Sequence, residues 1–138
     1  MVITKYIFLQ TKGNTDIINI TQQCSDIINS INFSNGIINI FNPGSTGALT
    51  TIEYEPNVVK DLKETLEELV PSDKFYHHSK TWNDDNGVSH IRSAFIGPSI
   101  VIPFIDKKLT LGTWQQIIFC DFDTCSRSRK LIVQIIGE

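Results

Sequence analysis

Long apolar runs are missing from this 138-residue sequence. None approaches the roughly 20 residues that a helix needs to cross a bilayer. The opening stretch "MVITKYIFLQTKG" has no basic region followed by an apolar run and a small-residue cleavage site, so it does not read as a secretory signal. Cysteine is scarce: Cys24, Cys120 and Cys125 are odd in number and form no CxxC pair. That excludes a disulfide framework and a zinc ribbon, and predicts free thiols in a reducing, cytoplasmic setting. Positive charge is not in excess. Twelve Lys and Arg face fifteen Asp and Glu, a net charge of −3. A broad electrostatic grip on nucleic-acid phosphates is therefore not expected. The one basic cluster, "RSRK" at Arg127 to Lys130, is long enough for a single phosphate group only.

What is present reads as a globular domain. Hydrophobic residues make up 41% and charged residues 20%, a composition that buries a core without metal or disulfide support. One domain over residues 1–138 is expected. Val2 to Leu9 is β-branched and aromatic, a strand, and Lys12 to Asn14 a turn. Ile17 to Ile20 reads as a short strand, with Thr21 as N-cap of a helix whose apolar residues are Cys24, Ile27, Ile28 and Ile31. Gly36 to Asn42 and Ala48 to Glu55 are strands around the turn "NPGSTG". Pro56 opens a second helix with the stripe Val58, Leu62, Leu66 and Leu69, and Pro71 ends it. A short helical stretch at His90 to Gly97 is followed by four strand-like runs: Ser99 to Phe104, Leu109 to Leu111, Trp114 to Phe122, and Lys130 to Ile136. Strands, helices, then strands again predict an α+β fold with mostly antiparallel or mixed sheets and two main helices.

All three histidines, His77, His78 and His90, fall in "FYHHSKTWNDDNGVSH", with Asp84 and Asp85 between them. Zinc needs three or four converging ligands. Neighbouring His77 and His78 point apart in most backbones, so at most one shares a centre with His90. A metal or catalytic cluster and a polar surface loop are both open from the residues alone. Glu53 lies on a strand face with Leu49 and Thr51, and Asp121 extends the face of Ile117 and Phe119. A carboxylate there is paired, ligated or catalytic if buried, and unremarkable if the face meets solvent. "NPGSTGALTT" collects hydroxyls, Ser45 and Thr46 among them, at a turn that can cradle an anion or simply be a turn. "LGTWQQI" adds Trp114 as a stacking or core surface and Gln115 as donor and acceptor.

Several of these segments occur together, in order, in one known family. "PGSTGALTTIEYEP", "DLKETLEELVP", "WNDDNGVSHIRSAFIGPSIVIPF", "LTLGTWQQI" and "QIIGE" resemble the YjbQ-like family, also labelled secondary thiamine-phosphate synthase, over nearly all of the chain from Phe41 on. The resemblance implies a single α+β domain, a homotrimer with its site near subunit boundaries, and a small phosphorylated or acidic ligand. It also implies a bound divalent metal, zinc or magnesium; the charge balance and the short apolar runs predict no nucleic-acid or membrane partner. The activity tied to the family is a weak thiamine-phosphate synthesis, which joins an aminopyrimidine diphosphate to a thiazole phosphate and releases pyrophosphate. Residue by residue, it implies His78 and His90 as metal ligands or proton-transfer groups, with Glu53 or Asp121 orienting an imidazole. Ser45, Thr46 and Arg92 would hold a phosphate, and Trp114 and Gln115 belong to the same ligand site.

Two departures matter. Gly44 stands where many members carry histidine, and "DNGVSH" replaces the G-N-G-H-S-H of the nearer branch, so Val88 replaces a histidine and Asp85 a glycine. Two functions are therefore expected in competition: a small enzyme with a metal-assisted site, or a non-catalytic binding protein for a phosphorylated or acidic small molecule.

Overall fold

The computed structural model describes residues 1–138 as eight strands and four helices. The strands are β1 (Val2–Thr11), β2 (Asp16–Asn19), β3 (Gly36–Phe41), β4 (Gly47–Glu53), β5 (Ser99–Ile105), β6 (Lys108–Leu109), β7 (Gln115–Asp121) and β8 (Arg127–Gly137). The helices are α1 (Thr21–Ser30), α2 (Pro56–Leu69), α3 (His78–Trp82) and α4 (Gly87–Ile96). Five strands form one sheet in the order β1-β8-β3-β5-β6, and three form another in the order β2-β7-β4. Every pairing is antiparallel. The expected α+β class holds, with no parallel pair; α3 and α4 add to the two main helices α1 and α2.

The long β1–β8 pair, from Val2↔Ile136 to Thr11↔Arg127, is set by alternation: Ile7 and Leu9 face in with Leu131, Val133 and Ile135. These join Ile38, Ile40, Phe104 and the α1 residues Cys24 and Ile28 in the main core. The three-stranded sheet covers that core with Leu49, Ile117 and Phe119. Its other face packs Ile17, Ala48, Ile118 and Cys120 against Leu66 of α2. β7 is thus buried on both faces, which is why its centre, Ile117 to Cys120, is an unbroken apolar run and not an alternation. Each of its fully buried isoleucines contributes on the order of 1.5–3 kcal/mol. No helix is long and apolar enough to cross a membrane.

Local chemistry explains the helix ends. Glu55 caps α2, accepting from the Asn57 and Val58 N–H groups at 2.9 Å each, with Pro56 in the first turn as expected. Those two bonds hold the Glu55 carboxyl below the usual range. Thr21 does not cap α1. It is the first helical residue, and its N–H and hydroxyl both donate to Asn19 Oδ1 while its Oγ1 accepts from the Ile117 N–H. The stripe of α2 is also shorter than expected: Leu66 is buried, but Leu69 is exposed. Val70, the residue after the helix, is buried in its place.

The outer face of the five-stranded sheet is open. Tyr6, Phe8, Phe41, Val101, Ile105 and Ile136 are exposed on it, Phe8 to 71%.

Candidate functional site

The histidine segment folds into two helices joined by a tight reversal. After α2, Tyr76 is fixed by its hydroxyl donating to the Pro71 carbonyl at 2.6 Å. The five residues of α3 end at Asn83, which is left-handed (φ 53°). Asparagine tolerates that conformation because its short polar side chain bonds locally. The reversal brings Asp84 back to the start of α3, where His78 Nδ1 lies 2.6 Å from Asp84 Oδ1. That separation places a proton between them. Nδ1–H donates to the carboxylate, and Nε2 makes no hydrogen bond within the chain. The Asn86 amide, oriented to donate, is 3.2 Å from both Asp84 oxygens.

α4 begins at Gly87, three residues earlier than its apolar pattern suggests. A Cβ at Gly87 would sit 2.5 Å from Tyr76 Cβ, so only glycine lets the helix start this close to Tyr76. The face of α4 against the small sheet is polar, which hides it from a hydrophobic pattern. Ser89 donates to the Phe122 carbonyl, and Ser93 donates to the Gly47 carbonyl at 2.5 Å. Arg92 donates through Nε and Nη2 to Val70 O, through Nη1 to Thr15 Oγ1, and through Nη2 to Glu67. With that face committed, His90 and Ile91 point the other way. The His78 and His90 rings are 4.6 Å apart between centroids, tilted by 40°. Both line a cleft of about 310 Å³ with Lys74, Phe75, Tyr76 and His77.

The other residues singled out from the sequence lie elsewhere. Asp121 is fully buried and receives two hydrogen bonds from Arg129, 2.8 and 2.9 Å, plus one from Thr11 and one from the Asp123 N–H. Burial pushes its pKa up, but these donors outweigh it and hold the carboxyl below the usual range. Thr46 is buried in the same network, accepting from Arg129 and donating to Asp123, while Ser45 is exposed. Arg92 is 6% exposed and tied to α2. It does not meet Ser45 and Thr46 around a common anion. Its bond, after those from Ser72, brings the Glu67 carboxyl down to about 2. Glu53 is exposed at the end of β4 and shares a cleft of about 440 Å³ with Trp114. Trp114 is 73% exposed, not a core residue. Gln115 ties the strand ends by donating to Thr51 and accepting from the Gly112 N–H. Neither Glu53 nor Asp121 bonds an imidazole; Asp84 does.

The two departures also resolve spatially. Val88 is buried and lines a separate cleft of about 380 Å³ with Arg92 and Phe122, on the side of α4 away from His90. A Cβ at Gly44 would meet Arg129 and Asn42. Within one chain, neither position faces the His78–His90 pair. No group of three His, Cys, Asp or Glu side chains converges as a metal site. From the sequence Asp84 is at most part of a metal-ligand set with the histidines, and Asn86 has no role; their place beside His78 comes from the fold. Their only signal is spacing: a short helix and a left-handed residue between His78 and Asp84.

The family model described as "UPF0047 protein YjbQ-like" matches residues 5–138. A UPF0047 protein of Methanothermobacter thermautotrophicus is 35% identical over 137 residues, covering 99% of this chain and 94% of that protein. One from Archaeoglobus fulgidus is 36% identical, covering 93% and 97%. The crystal structure of a YbjQ-like protein of unknown function from Sulfolobus solfataricus superposes with a TM-score of 0.93 at 30% identity, covering 100% and 99% of the two chains. A hypothetical protein from Aeropyrum pernix gives 0.87 at 29% identity, covering 98% of each.

Proposed function

Because the chain belongs to the UPF0047 YjbQ-like family, we propose that it is a small enzyme whose acid–base centre is the His78–His90 pair, acting on a phosphorylated small molecule. The observation that carries this is the Asp84–His78 hydrogen bond beside His90. In this reading Asp84 holds the tautomer and the ring, which leaves His78 Nε2 to accept a proton in the cleft that His78 lines. His90 supplies a second nitrogen for donating to, or accepting from, the same reacting group. In a thiamine-phosphate synthesis, a thiazole nitrogen forms a C–N bond as the C–O bond to pyrophosphate breaks. An imidazolium N–H in the cleft would stabilise the departing oxyanion.

In a metal-assisted form, His78 and His90 would be two imidazole ligands. One chain alone falls short of the three or four that zinc or a similar ion needs, so water or a neighbouring subunit completes the set. The acid–base role does not depend on it. A homotrimer is part of the proposal: the open sheet face bearing Phe8, Val101 and Ile136 is apolar surface of the kind that packs against other copies. Light scattering of the eluting protein reads the subunit number directly.

The test pairs wild type with His78→Asn and His90→Asn, each incubated with the two thiamine precursors and assayed for bound metal. Product from wild type that vanishes in both variants is the expected result. Equal turnover in all three removes the histidines from the chemistry. A second function, a non-catalytic binder of a phosphorylated or acidic ligand, is favoured by the lack of a converging three-ligand group. It predicts a raised melting temperature with ligand and no turnover in any variant.

A further inference from the structure

Of the phosphate-holding groups expected from the sequence, Arg92 and Thr46 are occupied elsewhere. All three arginines are paired: Arg92 with Glu67, Arg127 with Asp123, and Arg129 with Asp121. Thr46 spends its hydroxyl on Asp123 and Arg129. The histidine cleft has a different cation of its own. Lys74 lines it together with His77, His78 and His90, and no carboxylate is among its lining residues. Lys74 forms no ion pair in the chain. Its Nζ lies 5.5 Å from the centre of the Tyr76 ring, and that ring is fixed by the bond to Pro71. Lys74 also lines the adjoining cleft that holds Asp84, so it stands between the two.

Beside it, Phe75 is 60% exposed, although it neighbours the site and not the core. Its ring is not loose. The His77 imidazole meets it edge-on, 5.4 Å between centroids at 87°, and the Lys80 ammonium lies 5.7 Å from its centre. His77, which lines the cleft with the His78–His90 pair, thus acquires a role: it packs against the aromatic ring beside that pair. An ammonium that is in no ion pair and a largely exposed ring are complementary to an anion joined to a planar ring.

We infer that Lys74 is the anion anchor of the His78–His90 cleft and Phe75 its stacking surface, so that the pair selects planar-ring ligands bearing a phosphate. This rests on the reading of that cleft as the ligand site. Both residues act on binding, not on proton transfer, so they are specificity residues.

Calorimetry with phenyl phosphate and with inorganic phosphate tests it on the full chain. Lys74→Met is expected to weaken phenyl phosphate binding by about tenfold or more, the scale of one charge-assisted contact, and to weaken inorganic phosphate as well. Phe75→Ala is expected to weaken phenyl phosphate only. Lys63→Met, in the cleft beside Arg92, should change neither. Phenyl phosphate binding that is absent in wild type, or unchanged in Lys74→Met, overturns the inference. Binding that depends on Lys74, in a protein without turnover, leaves it standing while the acid–base reading fails.

Discussion

Two polar clusters in this protein look alike as sequence and are opposite as structure. Around β7 and β8, Asp121, Asp123, Arg127, Arg129, Thr11 and Thr46 bond one another, and no buried side-chain polar atom is left without a partner. Around α3 and α4, His78, His90 and Lys74 share a cleft, and only the Asp84 side of His78 is committed. A saturated network has no donors or acceptors to offer a substrate and is bound up in stability. Aligned but unspent groups at an opening are what chemistry requires. A carboxylate at the end of an apolar strand is judged by its partners, not by its position.

The largest expected effect breaks the saturated side. Asp121→Ala leaves the Arg129 guanidinium without its counter-charge in a mostly buried site. It should cost about 3–5 kcal/mol in urea unfolding. Changing Asp121 and Arg129 together to apolar residues of similar size should recover much of that loss. A single substitution with no measurable cost would mean that the network is not structural. On the open side the signature reverses. His78→Asn should lower any turnover by about 10²–10⁴-fold and leave stability within about 1 kcal/mol. A variant that unfolds instead would merge the two clusters into one class.

Acid sharpens the contrast further. Burial alone would raise the Asp121 and Asp123 carboxyls. Their hydrogen bonds prevail, from Arg129, Thr11 and the Asp123 N–H to Asp121, and from the Thr124 N–H, Arg127 and Thr46 to Asp123. Both are held below their ordinary value, so their ionised forms favour the folded state. That contribution is complete above roughly pH 4, the unfolded value, and is lost as the pH falls through the lower folded values. Asp121→Asn should therefore unfold with a shallower dependence on pH below about 4 than wild type. An unchanged slope would mean that Asp121 carries no linked proton. The smallest effect is a labelling pattern. Burial pushes the Cys24 and Cys120 thiols up to about 12, while Cys125 is exposed. A thiol reagent should modify one cysteine in the native protein and three in denaturant. Native labelling of Cys120 would show that β7 opens.

Much of the fold was legible because its signals are local. The β1 and β8 strands announce themselves by β-branched content, and α2 by Pro56 and its apolar stripe. α4 was half hidden, since Ser89, Arg92 and Ser93 occupy its inward face and hydrogen bonds do the work of apolar contacts there. Trp114 resembles a core residue by type, yet Gln115 and Gly112 set the strand start so that the indole stands outside. Of the candidate site, the histidine segment was visible as composition and His78 and His90 stood out. Asp84 as the partner was not, because the pairing depends on the reversal at Asn83.

By itself the sequence determined the class of fold, the strands and helices with strong periodicity, the absence of a disulfide framework, and the segment in which all the imidazoles lie. Those follow from residue type and spacing, which act over a few neighbours. Only the tertiary structure decided which carboxylate meets which cation. The same Asp, Glu and Arg residues can pair in many ways along a chain, and the choice depends on register and on which faces are dry. Register placed Asp121 beside Arg129, and burial made that pairing obligatory. Exposure left His78, His90 and Lys74 at an opening with bonds still to make.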